Sequence, residues 1–190
     1  MKRNAPTGAY TKMADQILVN KNPLQPTKYR LLFDRLPGAT YMCQSVSLPG
    51  LSLQEATVPN PFIDLFVPGD KMTYDPLEIS FMVDEELVAW KQIHDWIRGM
   101  AFPKDFSEYT NLKNLSAVSN LRNFNRVPPQ YSDGSLNIYT SKNNLNYVIK
   151  FKDLFPTSLT RLTFAAGDNA NDIIHATALF RFSYYEMVKA

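Results

Sequence analysis

With 190 residues, 45% of them hydrophobic and 13% aromatic, the chain is long enough for one full hydrophobic core and short for two. A formal net charge of +2 singles out no acidic partner, and a lone cysteine, Cys43, excludes a disulfide framework and a cysteine-based zinc site. No apolar run is long enough to cross a bilayer as a helix or to follow the basic N-terminal residues as a secretory signal, so the expectation is a soluble, reduced domain with appendages, Cys43 being a small buried side chain.

Residues 1–27 set Lys2, Arg3, Lys12 and Lys21 against the single acid Asp15, with Pro6, Pro23 and Pro26 interrupting regular structure. They read as an N-terminal arm, with at most a short helix around Ala14 to Val19. The domain is expected to span residues 28–190. Tyr29, Leu31 and Phe33 alternate with Lys28, Arg30 and Asp34 ahead of a Pro37-Gly38 turn, and Thr40 to Ser47 follows, which predicts a first hairpin. Leu51 to Val58 and Phe62 to Val67 flank Pro59-Asn60-Pro61 and predict a second, longer hairpin ending at Pro68-Gly69.

Next the hydrophobic period changes without a linker. Leu77, Ile79, Phe81 and Val83 fall on every second position, the pattern of a half-buried strand. From Glu86 the repeat lengthens: Ala89, Trp90, Ile93, Trp96, Ile97 and Met100 form one face of an amphipathic helix and Lys91, Gln92, Asp95 and Arg98 the other. Asp84, Glu85 and Glu86 stand where they meet the unpaired amides of the helix start, and Gly99 lies near its expected end. The predicted packing residues are Trp90, Ile93 and Ile97.

Residues 103–135 have weak periodicity, many asparagines and turn signals at Pro128-Pro129 and Asp133-Gly134, and read as a long loop insertion. Period-two strands resume at Leu136 and Ile138, at Leu145 to Phe151, at Thr160 to Phe164 and at Ala176 to Tyr184, separated by Lys142-Asn143-Asn144, Pro156 and Gly167-Asp168-Asn169. About eight strands and one helix predict a mostly β, antiparallel fold with the helix on one face or end.

Motifs that carry chemistry are missing from the sequence. His94 falls on the polar side of the helix, and His175 begins the last strand on the face away from Phe180. There is no HExxH, glycine-rich phosphate loop or GxSxG elbow, and the run Asp168 to Asp172 lacks the central glycine and closing glutamate of a calcium loop. Tyr147 and Phe151 alternate with Lys150 and Lys152, which is a strand with a core side and a wet side rather than a base-stacking platform. No catalytic, cofactor or metal residue is assigned, and the chain is not expected to be an enzyme.

The run GDKMTYDPLEISFMVDEELVAWKQIHDWIRGM, from Gly69 to Met100, resembles the strand and helix shared by the tail tube proteins of contractile-tailed bacteriophages and the tube-initiating baseplate proteins of the same viruses. The C-terminal third is similar too: the Phe155-Pro156 corner, a following strand, an Asp-Asn turn and a final alternating strand ending in aromatics. The resemblance covers most of residues 28–100 and 145–188, with the arm and the 103–135 insertion outside it.

That resemblance implies an orthogonally packed β-sandwich with a flanking helix, associating side by side into hexameric rings. Strands of neighbouring subunits would continue one another's sheets around a lumen, and rings would stack into a tube. The second hairpin is the candidate for the lateral contact, because Phe62, Ile63, Leu65, Phe66 and Val67, with Leu53 opposite, make both of its faces apolar. The function implied is a structural virion protein of the tail, assembled in the host cytoplasm, whose lumen passes the genome without sequence-specific binding. Its partners would be copies of itself together with sheath, baseplate or tape-measure proteins, and no membrane. The alternatives are a starter ring at the baseplate and, in a different class, a monomeric β-barrel module for single-stranded nucleic acid or peptide.

Overall fold

Alternating apolar residues produce the strands, and one strand long enough to serve two layers decides how they are arranged. A computed structural model describes residues 23–115, 130–165 and 173–190. The helix expected at Ala14 to Val19, the Pro128-Pro129 turn and the Asp168 to Asp172 run lie outside the described residues. Among those described, the order is β1 (Tyr29–Phe33), α1 (Pro37–Met42), β2 (Cys43–Ser47), β3 (Leu51–Val58), β4 (Leu65–Tyr74), β5 (Leu77–Met82), α2 (Val88–Ala101), α3 (Ser107–Leu115), β6 (Ser132–Tyr139), β7 (Leu145–Leu159), β8 (His175–Arg181) and β9 (Tyr184–Lys189).

Seven strands form one hydrogen-bonded path, β1-β6-β7-β8-β5-β2 with β9 added to β7, while β3 and β4 pair with each other in a separate sheet. Every pairing is antiparallel. The 15 residues of β7 divide their partners: Leu145 to Leu154 runs beside β6, Tyr147 to Lys152 also beside β9, and Phe155 to Leu159 beside β8. Between the two halves Asp153 has φ 55, a left-handed conformation that turns the chain from one layer into the other. The result is the expected antiparallel sandwich. It is not a closed barrel, since β1 and β2 end the path unpaired with each other.

The layers meet through their alternating residues. Leu77, Ile79 and Phe81 of β5 stand opposite Phe180, Ala178 and Ala176 of β8, a large residue facing a small one at two of the three rungs. These, with Leu31 and Phe33 of β1, Leu136 of β6 and Ile149, Phe151 and Leu154 of β7, form the buried core. Phe33 of one layer stacks on Phe180 of the other at 5.3 Å. Gly134 makes room for this: a Cβ there would lie 2.8 Å from Leu154 Cδ1 and 3.0 Å from Phe33 Cδ1.

Helix α2 closes one end of the core with Ala89, Ile93, Trp96 and Gly99 buried. Of the predicted trio, Ile93 is fully buried, while Trp90 and Ile97 are half-buried at the margin of the core. The tryptophan at the centre is Trp96, 2% exposed. Its ring lies 6.2 Å from that of Phe180, its Nε1 donates to Gln130 O at 2.9 Å, and the Arg35 guanidinium sits 5.0 Å above it. Trp90 instead stacks on His94 at 5.2 Å and donates to Thr160 O at 3.3 Å.

Several local expectations change. The segment before Cys43 forms α1 rather than a strand, because Pro37 suits a first helical position and buried Leu36 and Ala39 are spaced for a helix. As a result β1 and β2 make no hairpin: β1 joins β6 and β2 joins β5. The acid run precedes α2 without entering its first turn, and only Asp84 caps it, accepting from the Val88 amide at 3.3 Å. Gly99 does not end the helix. It lies against α3, where a Cβ would fall 2.8 Å from Leu112 Cβ, and the helix stops at Phe102, with φ 33.

The stretch read as a loop thus carries α3 and the start of β6, with α3 tied to α2 by Arg98 Nε donating to Glu108 Oε1 at 2.7 Å. Pro156 does not separate strands either; it lies inside β7 where that strand has a single neighbour, a place that tolerates proline. Thr160 to Phe164 lies past the end of β7, and the final strand breaks at Phe182-Ser183 into β8 and β9.

Truncation of the central indole, Trp96→Ala, is expected to destabilise the protein by ~3–5 kcal/mol, the range for a large aromatic lost from a core. Trp90→Ala is expected to lose roughly half as much, being half-buried, and Lys91→Ala on the exposed face less than about 0.5 kcal/mol. Urea midpoints of the three variants test this order.

Candidate assembly interface

Strands β3 and β4 build a long hairpin that lies outside the core. The rungs Leu51↔Tyr74, Ser52↔Thr73 and Leu53↔Met72 form its base, and Glu55↔Pro68, Ala56↔Val67, Thr57↔Phe66 and Val58↔Leu65 its distal half. Between these halves β4 takes four residue steps where β3 takes two. Pro68-Gly69 therefore belongs to a bulge inside β4 and does not close the hairpin. Gly69 is required there, since a Cβ would fall 2.5 Å from Gln54 O.

Every residue of β3 is exposed, as is all of β4 except Gly69 and Tyr74. The candidate contact residues Leu53, Phe62, Ile63, Leu65, Phe66 and Val67 are all exposed, with Phe62 at 95% and Ile63 and Phe66 at 67%. Both faces of the hairpin are apolar in the sequence, and the core takes up neither of them. A two-stranded hairpin in water is marginal by itself, and an apolar surface on both sides with open edges is an assembly device or an aggregation hazard.

The base is held firmly. The Tyr74 ring lies 5.4 Å from Phe182 and 5.3 Å from Tyr185, and these pack on Phe151 of β7 at 5.2 Å and 5.8 Å. Arg181 Nη1 donates to Tyr74 O at 3.1 Å, and the Asp75 amide donates to Gly50 O at 3.1 Å. Sequence reasoning missed this root, because its members come from β4, β7 and the β8–β9 corner. The weak signal was the aromatic that ends β4, Tyr74, and the aromatics at the β8–β9 corner, Phe182, Tyr184 and Tyr185.

Among the described residues other edges are open as well. β1 and β2 end the sheet path, and β9 borders β7 with Tyr184, Met187 and Val188 exposed. Where α2 passes into α3, Phe102 stacks on Phe106 at 5.1 Å. Cys43 is half-buried rather than fully buried, and burial pushes its thiol up to about 11. Lys152 is raised by its hydrogen bond to Asp133. His94 lies 3.1 Å from Asp95, and His175 is exposed at the start of β8. Among the described residues no three His, Cys, Asp or Glu side chains gather where they would hold a metal ion.

The profile of the phage tail tube protein family matches residues 38–188, from α1 through β9. The chain belongs to that family. The match runs through the hairpin and also through the 103–135 region, which the sequence resemblance had left out. The tail tube terminator protein of Enterobacteria phage T4 is 26% identical over 156 residues, covering 79% of this chain and 78% of that one. Among solved structures, the tube-terminating cap of the anti-feeding prophage superposes with a TM-score of 0.55 at 14% identity, over 91% of this chain and 95% of that one. The anti-feeding prophage baseplate gives 0.55 at 11% identity, over 89% and 97%. At such identities the structures share the fold; the family places the chain in a virion tail.

Because the hairpin contributes little to the core, Ile63→Asp and Leu65→Asp are expected to change the monomer's stability by less than about 0.5 kcal/mol. Circular dichroism and a urea transition in dilute solution check this.

Proposed function

We propose that this tail tube family member assembles into a hexameric ring around a lumen, through the β3–β4 hairpin, and that the ring terminates the tail tube. The observation that carries the ring is the hairpin: strands of 8 and 10 residues project from a finished core with Leu53, Val58, Leu65, Phe66 and Val67 exposed, and a neighbouring copy supplies what the monomer does not. A subunit with a donor hairpin on one side and open strand edges elsewhere has the head-to-tail asymmetry from which closed rings arise. Support for the terminal position comes from the T4 relative, a tail tube terminator protein. In this reading the ring carries no catalytic group, passes the genome without reading its sequence, and touches the tube on one side.

Negative-stain micrographs and native mass of the purified full chain test the proposal. Single six-membered rings that arrest polymerisation when added to the cognate tube protein are the expected result. Tubes grown by this chain alone would assign it to the repeating tube, and a strict monomer at high micromolar concentration would overturn the ring. Ile63→Asp and Leu65→Asp are expected to abolish rings while leaving a folded monomer, since each puts an unpaired charge into the contact.

A further inference from the structure

Resting on the ring reading, we propose that the aromatic root formed by Tyr74, Phe151, Phe182 and Tyr185 fixes the direction in which the hairpin leaves the sandwich. Tyr74 is thereby a positioning residue for ring closure. Among the described residues, β3 and β4 make extensive contact with each other and with no other strand or helix, so the root is the main hold on their direction. The hairpin is attached by β3 through Gly50 and by β4 through Tyr74. A backbone hydrogen bond, Asp75 N to Gly50 O at 3.1 Å, joins the two chain segments where the hairpin enters the body, and would act as a pivot if it stood alone.

Tyr74 removes that freedom. Its ring contacts two others at 5.4 Å and 5.3 Å, and those two rest on Phe151, which is fully buried. Its carbonyl accepts from Arg181 Nη1, which anchors the main chain of the same residue to β8. The root therefore grips both backbone and side chain at the point where a small rotation is magnified along the hairpin. In a head-to-tail assembly the rotation between neighbours decides whether the chain of contacts closes and with how many copies, and a variable rotation gives open or mixed oligomers.

The test uses the full chain in two arms. In the first, spin labels at Thr57→Cys and Lys150→Cys, in a Cys43→Ala background held monomeric by Ile63→Asp and Leu65→Asp, report the hairpin's direction without assembly. A narrow distance distribution is expected for Tyr74 and Tyr74→Phe, and one at least twice as broad for Tyr74→Ala. Arg181→Ala, which leaves the aromatic packing intact, should broaden it by an intermediate amount and serves if Tyr74→Ala does not fold. Equal widths for all variants would overturn the proposal. In the second arm, without the labels and the two aspartates, native mass should show one ring size for the parent and Tyr74→Phe, and a spread of open or unequal oligomers for Tyr74→Ala. Identical rings from Tyr74→Ala would also overturn it. A parent chain that forms no rings defeats the ring reading instead, and the first arm then still decides whether the root aims the hairpin.

Discussion

The whole arrangement depends on β7 belonging to two layers at once. Its first half lies between β6 and β9, its second half joins β8, and the change takes place at Asp153 in a left-handed conformation that few residues adopt. Once a single strand is bent between layers, the faces that alternation makes apolar are turned toward one another. Phe33 then meets Phe180, and Ile149, Phe151 and Leu154 line the shared interior. The bend also brings the β8–β9 corner beside Phe151, which creates the aromatic socket into which Tyr74 fits. Core, layer geometry and hairpin root are therefore consequences of one backbone event.

From this follows a division of labour between folding and assembly. Apolar residues in β1, β5, β6, β7 and β8 are consumed by the core, and α2 seals one end with Trp96. Those in the distal hairpin are left over. Exposed apolar side chains gain nothing for the isolated monomer, and an open two-faced hairpin invites pairing with any compatible edge. Such a surface is tolerable where it is soon covered by a defined neighbour, a condition that a closed ring meets and an open chain of subunits does not.

Much of the framework was legible because period two and period 3.6 are local signals. Leu77 to Phe81, Ile149 and Phe151, and Ala176 to Phe180 declare their faces in the sequence, and Ile93 declares the helix. The errors share a cause: residues whose meaning depends on distant partners. Pro37-Gly38 has the chemistry of a turn, but buried Leu36 and Ala39 draw it into a helix. Gly99 looks like a stop signal until Leu112 presses against it from α3. Trp90 and Trp96 both lie in the apolar stripe, and only the place of Phe180 and the Gln130 carbonyl makes Trp96 the central one. Pro68-Gly69 looks like a closing turn until the Gln54 carbonyl shows why glycine is needed within a strand. The hairpin was half legible: alternation shows apolar side chains on both of its faces, and only the folded body shows that neither face is taken into the core.

Many of the chain's aromatic residues sort by position. Phe33, Trp96, Phe151 and Phe180 hold the layers together; Tyr74, Phe182 and Tyr185 join the hairpin to them; Phe62 and Phe66 lie beyond, in solvent. The three groups form a gradient from buried to bare along a physically connected path, from the centre of the sandwich to the outer hairpin. Rigidity at its inner end comes from close packing, which resists small displacements because a dense interior has few voids to relax into. The outer end can therefore be apolar and adaptable in its contacts and yet keep a defined direction, because it inherits that direction from the core through Tyr74.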